Sequence, residues 1–376
     1  MKVQRYAVLA GAGLIAAATL SACGSNNSSP SSGTTTTTGG SSPTGANAIS
    51  CASGTLTAAG STAQANAISK WTKDYQAACS GATINYNPNG SGAGLTAFEQ
   101  KQVDFAGSDF PMTSSDVPLA NARCGSGNNA INIPLVPGLI AVMYNVSGVT
   151  SSLNLSASTL AKIFNGKVAT WNDPAITGEN PGVTLPGTKI TTFHRSDKSG
   201  TSFNFSNYLN KTAAADFPAA ANKQWPGTGG QGQNGSSGVA QAVKTTDGGI
   251  GYAEVSFATS NSLQTAKVGN AQGQYVAATT ANASAFIAKA NAQSNANGIE
   301  LTFDYTYANP DAYPAVLVTY EIACGAGNDS GQLPLIKGFL GYGASSTAQA
   351  QLPSIGYVQL PSDLQTQVKS LVDGMK

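Results

Sequence analysis

The chain combines a length sufficient for two domains with a low density of charge. It has 376 residues, of which 41% are hydrophobic and only 10% are charged, and its formal net charge is +1. A chain of this length can bury a sizeable core. Nucleic acids and anionic membrane surfaces require a basic face, so the near-neutral balance argues against either as the main partner. Specificity is therefore expected from a local site.

Residues 1–22 have the pattern of a signal peptide. Lys2 and Arg5 precede the apolar run YAVLAGAGLIAAATLSA, which is short for a spanning helix and rich in alanine and glycine. The run ends in LSAC, residues 20–23, which resembles a bacterial lipobox and implies that Cys23 is lipidated after cleavage. The alternative is an ordinary signal peptide followed by a chance cysteine.

Residues 23–50 are predicted to be a lipidated linker. After Cys23 the sequence GSNNSSPSSGTTTTTGGSSPTGANAIS contains almost nothing that a core can bury. Such composition is typical of a flexible tether. We therefore expect a globular protein that is anchored to the cell membrane by a lipid and works on the extracytoplasmic face.

The four remaining cysteines, Cys51, Cys79, Cys124 and Cys324, indicate disulfides, because an even number in an exported chain favours pairing. Three pairings are possible. We favour Cys51 with Cys79, which brackets one strand-helix unit, and Cys124 with Cys324, which would tie the C-terminal part to the N-terminal part. With one histidine, His194, and no CxxC spacing, neither a metal nor another cofactor is predicted.

From Thr55 onward, predicted strands alternate with predicted helices. The segment TLTAAGSTAQANAISKWTKDYQAA predicts a strand, a Gly-Ser-Thr turn, and a helix with Ile68, Trp71 and Tyr75 on one face. The segments ATINYNPNGSGAGLTAFEQK and VDFAGSD continue the pattern with a second strand and helix and a third strand. This alternation predicts an α/β fold with mixed, mostly parallel sheets, whose ligands bind at the carboxyl ends of the strands.

Two long apolar runs predict strands that cross between two domains. INIPLVPGLIAVMYNV leaves the first domain, and YPAVLVTYEIA, residues 313–323, returns to it. The predicted boundaries are residues 51–139 plus 314–376 for domain I and residues 140–313 for domain II. Within domain II, the stretch 277–297, rich in alanine and asparagine, is predicted to be a surface helix with its neighbours.

Three turns that precede predicted helices carry the candidate site: Gly60-Ser61-Thr62-Ala63, Gly90-Ser91-Gly92 and Ser199-Gly200-Thr201. A helix N-terminus offers free N–H groups and the positive end of a dipole, which suit a small anion. One such turn is usually only a helix cap, so the prediction depends on the repetition at equivalent strand ends. Arg195 adds a planar fork for two oxygens, and Asp197 is placed to hold it.

Asp109 also follows a predicted strand, although a carboxylate should repel a bound anion. A protonated ligand resolves the conflict, because the carboxylate then accepts a hydrogen bond from it. Phosphate keeps a proton near neutral pH and sulfate does not, so Asp109 would select phosphate. The alternative is that Asp109 merely caps the next turn.

At these residues the chain resembles the phosphate-binding protein of the high-affinity phosphate ABC transporter. The resemblance lies in AAGSTAQANAISKW, INYNPNGSGAG, VDFAGSD, LAKIFNGKVATWNDPAI, HRSDKSGTSF and GGIGYAEVSFA, which span nearly the whole chain after Cys51 in the family's order. The lipobox and paired cysteines resemble actinobacterial members. The resemblance implies a two-domain, periplasmic-binding-protein-like fold of type II, with crossing hinge strands.

The resemblance also implies which residues contact phosphate. They are Thr62, the backbone of Ala63, Ser91, Asp109, Arg195, Ser199, Gly200 and Thr201, with Asp197 orienting the arginine. Two positions depart from the family pattern, since Ala63 stands where an aromatic residue is frequent and Lys198 where a small residue is common.

The function implied is that of an extracytoplasmic receptor, a monomer that closes on inorganic phosphate and delivers it to an ABC permease. An exported phosphatase or phosphotransferase is the main alternative, but it needs a nucleophile with an adjacent base or a metal cluster. His194, beside Arg195, is expected to end a strand without a catalytic part, so no enzyme is predicted. A receptor for sulfate, molybdate or arsenate, and a secondary role as adhesin or signalling receptor, stay open.

Overall fold

The computed structural model describes residues 49–376. The predicted signal peptide, the lipidated Cys23 and the linker up to residue 48 lie outside the described residues. Within the described range, no helix is both long enough and apolar enough to cross a membrane.

Strands and helices alternate along the described chain. The strands are β1 (Gly54–Gly60), β2 (Ala82–Asn87), β3 (Phe105–Ser108), β4 (Ala130–Asn145), β5 (Asn154–Leu155), β6 (Thr191–Arg195), β7 (Gln231–Gln233), β8 (Gly249–Glu254), β9 (Gln264–Thr265), β10 (Lys267–Gly269), β11 (Tyr275–Val276), β12 (Asn291–Asn295), β13 (Gly298–Thr302) and β14 (Val316–Cys324). The helices are α1 (Ala65–Ala78), α2 (Ser91–Glu99), α3 (Val117–Cys124), α4 (Ala157–Phe164), α5 (Pro174–Thr177), α6 (Gly200–Thr212), α7 (Gly235–Thr245), α8 (Val255–Ser260), α9 (Thr280–Ile287), α10 (Leu333–Gly343), α11 (Ser346–Gln351) and α12 (Ser362–Asp373).

A large mixed sheet has the strand order β2-β1-β3-β14-β4-β8-β6-β7 along its main path. β1 is parallel to β2 and β3, and β6 is parallel to β7 and β8. β14 runs antiparallel to β3 and β4, and β4 runs antiparallel to β8. The protein thus has two α/β domains, the β1 half with β1–β3 and the β6 half with β6–β8, joined by crossing strands.

β4 is the strand that spans both halves. Its residues 130–139 pair with β14, and residues 140–145 pair with β8. Fifteen of its sixteen residues are buried, as a near-continuous apolar run requires when both faces of a sheet are covered. The prediction of long buried crossing strands is therefore confirmed.

Each half has its own apolar core. Helix α1 places Ile68, Trp71 and Tyr75 on one buried face, as its spacing predicts, and this face packs in the core of the β1 half. The core of the β6 half is built around an aromatic group that includes Phe164, Phe205, Trp225 and Tyr252. Two separate cores allow each half to hold its edge of the site rigidly.

The prediction of a helix across 277–297 is only partly correct. Helix α9 ends at Ile287, and β12 then forms an antiparallel hairpin with β13. The sequence Asn297-Gly298 follows β12, and Gly298 adopts φ +91°, a conformation that suits a hairpin turn and not a helix. Ile299 and Leu301 of β13 pack into the core of the β1 half, which supplies the tertiary contacts that favour a strand.

Both favoured disulfides form. Cys51 pairs with Cys79 at a Cα–Cα distance of 5.3 Å, and Cys124 pairs with Cys324 at 5.5 Å. The second bridge joins the end of α3 to the end of β14 across 200 residues of sequence. It ties one of the two crossing strands to the β1 half.

Candidate anion-binding site

The site lies where the carboxyl ends of the parallel strands of the two halves face each other. Helix α2 starts at Ser91 in the β1 half, and helices α6 and α7 start at Gly200 and Gly235 in the β6 half. Each of these ends follows a strand, because a parallel strand returns through a helix that begins at the strand's carboxyl edge. The arrangement directs N–H groups from both halves toward one region.

Asp109 lies at the centre of this region, directly after β3, and only 2% of it is exposed. Its Oδ1 accepts a hydrogen bond from Ser61 Oγ and another from Thr319 Oγ1 at 2.8 Å. Its Oδ2 accepts one hydrogen bond, from Thr201 Oγ1 at 3.2 Å. A carboxylate oxygen can accept more than one hydrogen bond, so Oδ2 retains acceptor capacity.

The surroundings of Asp109 act in both directions on its ionisation. Burial raises the pKa of Asp109 above its ordinary value. Hydrogen bonds from Ser61, Thr319 and Thr201, together with the positive charge of Arg195, lower that pKa and oppose the effect of burial. The hydroxyl donors and Arg195 therefore stabilise the charged form of Asp109 against the effect of burial.

Arg195 ends β6 and is 1% exposed. Its Nε donates to Asp197 Oδ1 at 2.7 Å, and its Nη2 donates to Asp197 Oδ2. The remaining guanidinium nitrogen, Nη1, lies 3.4 Å from Ser236 Oγ. Asp197 also accepts the backbone N–H of Gly235 at 3.2 Å, so this carboxylate fixes both the fork and the start of α7.

Ser91 links the two halves. Its Oγ accepts the N–H of Asp109 and the N–H of Gly200, each at 3.2 Å. A Cβ at position 200 would lie 2.6 Å from Asp109 Cβ, so only glycine permits this approach. Ser199 caps α6 by accepting the N–H of Ser202, as its position before the helix predicts.

The turn after β1 is organised by Ser61, which the sequence analysis did not include among the contact residues. Ser61 Oγ accepts the N–H of Ala63 at 3.0 Å while its hydroxyl hydrogen points to Asp109. Thr62 Oγ1 lies 2.8 Å from Ser236 Oγ and accepts the Ser236 N–H at 3.2 Å. The Ala63 amide is thus bonded within its own turn, and Thr62 reaches the β6 half.

The structure brings all of the predicted residues to one region. Those residues are Thr62, Ala63, Ser91, Asp109, Arg195, Asp197, Ser199, Gly200 and Thr201. Ser61 was predicted as part of a candidate turn but not as a contact residue, and Ser236 and Thr319 were not predicted at all. Ser236 had a usable signal, because NGSSG before α7 repeats the pattern of glycine and serine at a helix start. Thr319 had none, since it lies inside an apolar run.

A second buried acid, Glu321, lies behind Asp109 on the same strand as Thr319. Burial raises the pKa of Glu321 to about 8; the neighbouring Gln64 lowers that pKa, and the negative charge of Asp109 raises it further. Neither Oε atom of Glu321 has a hydrogen-bond partner of good geometry. Glu321 therefore favours its neutral form near pH 7.

His194 is the next-to-last residue of strand β6. Its ring stacks on Trp225 at a centroid distance of 5.7 Å, and its Nδ1 lies 3.0 Å from the Arg195 carbonyl oxygen. Among residues 49–376, no cluster of three or more His, Cys, Asp or Glu side chains is arranged to hold a metal ion.

Two α/β domains joined by crossing strands, with an anion-type site between them, define the class of periplasmic-binding-protein-like solute receptors. The family model of the PBP superfamily domain matches residues 26–347. The phosphate-binding protein PstS 3 of Mycobacterium tuberculosis is 39% identical over 381 residues, which cover 100% of both chains. The phosphate-binding protein PstS of Xylella fastidiosa is 36% identical and covers 81% of this chain and 80% of its own. The chain belongs to the PBP superfamily and, within it, to the PstS phosphate-binding proteins.

Solved structures share the fold at lower identity. A high-affinity periplasmic phosphate-binding protein, solved with bound phosphate, superposes with a TM-score of 0.69 at 23% identity and covers 84% of this chain and 93% of its own. The phosphate-binding protein of Stenotrophomonas maltophilia superposes with a TM-score of 0.62 at 19% identity, with the same coverage of both chains. These likenesses show a common architecture.

Proposed function

We propose that the protein is an extracytoplasmic receptor for inorganic phosphate, which it captures between its two domains and delivers to an ABC permease. The observation that carries the proposal is the buried Asp109, held among hydroxyl donors opposite the buried Arg195. The names of the relatives, which are phosphate-binding proteins, support the same ligand.

The contacts proposed for phosphate come from both halves. The set consists of Thr62, the backbone of Ala63, Ser91, Asp109, Arg195, Ser199, Gly200 and Thr201, with Asp197 as the residue that orients Arg195. Arg195 supplies the positive charge through Nη1, since its other two nitrogens donate to Asp197. The hydroxyls and N–H groups supply neutral donors. When the anion binds, these donors exchange their hydrogen bonds to one another for hydrogen bonds to the oxygens of the anion.

Asp109 supplies selectivity in this proposal. Its Oδ2 has acceptor capacity left and accepts the proton of monohydrogen or dihydrogen phosphate. Sulfate carries no proton at neutral pH, so its oxygen would face the carboxylate without a hydrogen bond. In sites built around one ligand hydrogen bond, a ligand that cannot form this buried hydrogen bond is disfavoured by about 10⁴-fold.

Ligand capture is proposed to proceed by hinge closure about the crossing strands. The domains are residues 51–139 plus 314–376, and residues 140–313, with the β12–β13 hairpin of the second segment packing on the first. Lys223 and Asp116 form an ion pair of 2.9 Å between the halves, and Lys223 also lies 4.1 Å from the centroid of the Phe110 ring. Such contacts stabilise the arrangement in which both walls of the site meet.

The remaining features of the proposal concern location and chemistry. Cys23 carries a lipid anchor on the extracytoplasmic face of the cell membrane, residues 24–50 form the tether, and the receptor acts as a monomer. We propose a receptor and not an enzyme, because the relatives are named as binding proteins and the single histidine packs on Trp225. An exported phosphatase with the same anion-binding turns is the competing function.

Calorimetric titration of the purified protein with phosphate tests the receptor, and incubation with p-nitrophenyl phosphate tests the competing enzyme. We expect saturable binding of one phosphate per chain and no release of p-nitrophenol above the uncatalysed rate. Absence of phosphate binding would overturn the receptor. Turnover that is lost in Arg195→Met would favour the phosphatase instead.

A further inference from the structure

A cavity of about 460 Å³ lies beside the anion site, on the other face of β14. Along this strand Thr319 points to Asp109, whereas its neighbours Val318 and Tyr320 line the cavity, as the alternation of side chains in a strand requires. The anion site and the cavity are therefore separate spaces that share one wall. The volume falls within the range of about 300–1,000 Å³ that small-molecule sites occupy.

Five of the fifteen residues that line the cavity are aromatic, and they come from both halves of the molecule. Phe110 follows Asp109 in the β1 half, and Phe203 lies on α6 in the β6 half, with ring centroids 5.3 Å apart. Phe303 and Tyr305, which follow β13, form the next part of the wall. Flat rings that surround a space of this size favour a flat apolar ligand, which they can stack upon or meet edge to face.

The cavity lining holds one basic residue and one acidic residue, Lys211 and Asp109. Lys211 lies on the exposed end of α6, and no Asp or Glu among residues 49–376 forms an ion pair with this lysine. The single acid in the lining, Asp109, directs its carboxylate to Ser61, Thr201 and Thr319 in the anion site. Lys211 is thus available to an anionic group, and neutral donors such as Asn207 lie nearby.

From these observations we propose that the cavity is a second ligand site, for a small aromatic carboxylate. The aromatic body packs against the contacting rings of Phe110 and Phe203 and against Phe303, and the carboxylate pairs with Lys211 at the rim. Because the walls come from both halves, an occupant stabilises their present arrangement. Helix α6 joins the two sites, since its first residues line the anion site and its later residues line the cavity.

The test is calorimetric titration of the purified protein with naphthalene-2-carboxylate, in saturating phosphate so that the anion site does not compete. We expect one saturable site. Lys211→Met should weaken binding by about fivefold or more, and the uncharged naphthalene-2-carboxamide should bind the wild type more weakly by a similar factor. Thr302→Trp, a change at an exposed position of the lining, should fill the cavity and abolish binding.

Lys244→Met is the matched control, because Lys244 is an exposed lysine near the end of α7 and does not line the cavity. This variant should bind the naphthoate as the wild type does. Phosphate titration of every variant reports whether it is folded. The proposal is overturned if the wild type shows no saturable binding in the millimolar range, or if Lys211→Met binds as tightly as Lys244→Met.

Discussion

Asp109 and Glu321 are two buried acids on adjacent strands, and their surroundings differ sharply. Asp109 receives hydroxyl hydrogen bonds from Ser61, Thr201 and Thr319 and lies near Arg195, whereas neither oxygen of Glu321 has a partner of good geometry. Burial raises the pKa of both groups, and that of Glu321 reaches about 8. Burial by itself therefore favours the neutral form of an acid.

The different surroundings of Asp109 and Glu321 show how a protein can keep a negative charge beside a site for anions. The hydroxyls and Arg195 stabilise the ionised form of Asp109, so that it can accept a hydrogen bond from a protonated oxygen of the ligand. Glu321 lacks that support and keeps its proton. The neutral acid avoids adding a second negative charge next to the anion.

Replacing Asp109 with asparagine is expected to weaken phosphate binding more than the other substitutions described below. The amide presents an N–H₂ donor or a weaker acceptor where phosphate binding is proposed to need a charged acceptor. Phosphate affinity should therefore fall by about 100-fold or more. Calorimetric titration at pH 7 measures the loss. Glu321→Gln is the matched control and should stay within about threefold of the wild type. Equal losses in the two variants would contradict the distinction between the two acids.

Replacing Arg195 with lysine tests whether the planar guanidinium matters beyond its positive charge. Lysine keeps the charge but loses the planar fork that donates to Asp197 through Nε and Nη2 and leaves Nη1 for the ligand. Phosphate affinity should fall by about thirtyfold, measured by the same titration. A lysine variant with wild-type affinity would show that only net charge matters at this position.

Replacing Glu321 with glutamine should change stability rather than binding. The folded-state pKa of about 8 lies above the ordinary 4.5, so folding takes up a proton between these values and stability falls as pH rises through that window. The contribution is up to about 1.4 kcal/mol per pH unit. Denaturant unfolding between pH 5 and pH 8 should show that the free energy of unfolding falls less with rising pH in Glu321→Gln than in the wild type. Part of the fall should persist in the variant, because burial also raises the pKa of Glu254 to about 8.

Replacing Thr319 with valine makes Asp109 resemble Glu321 more closely. The variant removes the 2.8 Å hydrogen bond to Oδ1 without changing the shape of the side chain much, so the pKa of Asp109 should rise further. Phosphate affinity should fall by about fivefold in a calorimetric titration at pH 7, because the carboxylate has lost one of the hydrogen bonds that stabilise its charged form. Wild-type affinity in Thr319→Val would contradict a supporting role for this hydrogen bond.

Much of this site can be predicted from local sequence, and part of it cannot. The turns at Ser91 and Gly200 and the residues Arg195 and Asp197 are recognisable because each combines a strand end with a helix start. Thr319 and Glu321 lie in an apolar run, and only the pairing of β14 with β3 brings them to Asp109. The same limit explains the β12–β13 hairpin, whose strand conformation depends on packing of Ile299 and Leu301 in a distant core.

In the proposed mechanism, an ionised Asp109 selects a protonated anion. Competition between phosphate and sulfate at pH 7 tests it most directly, with the wild type and Asp109→Asn measured side by side. We predict that the wild type prefers phosphate by about 10³-fold or more and that Asp109→Asn loses at least about tenfold of this preference. Equal affinity of the wild type for the two anions, or an unchanged preference in Asp109→Asn, would contradict the account.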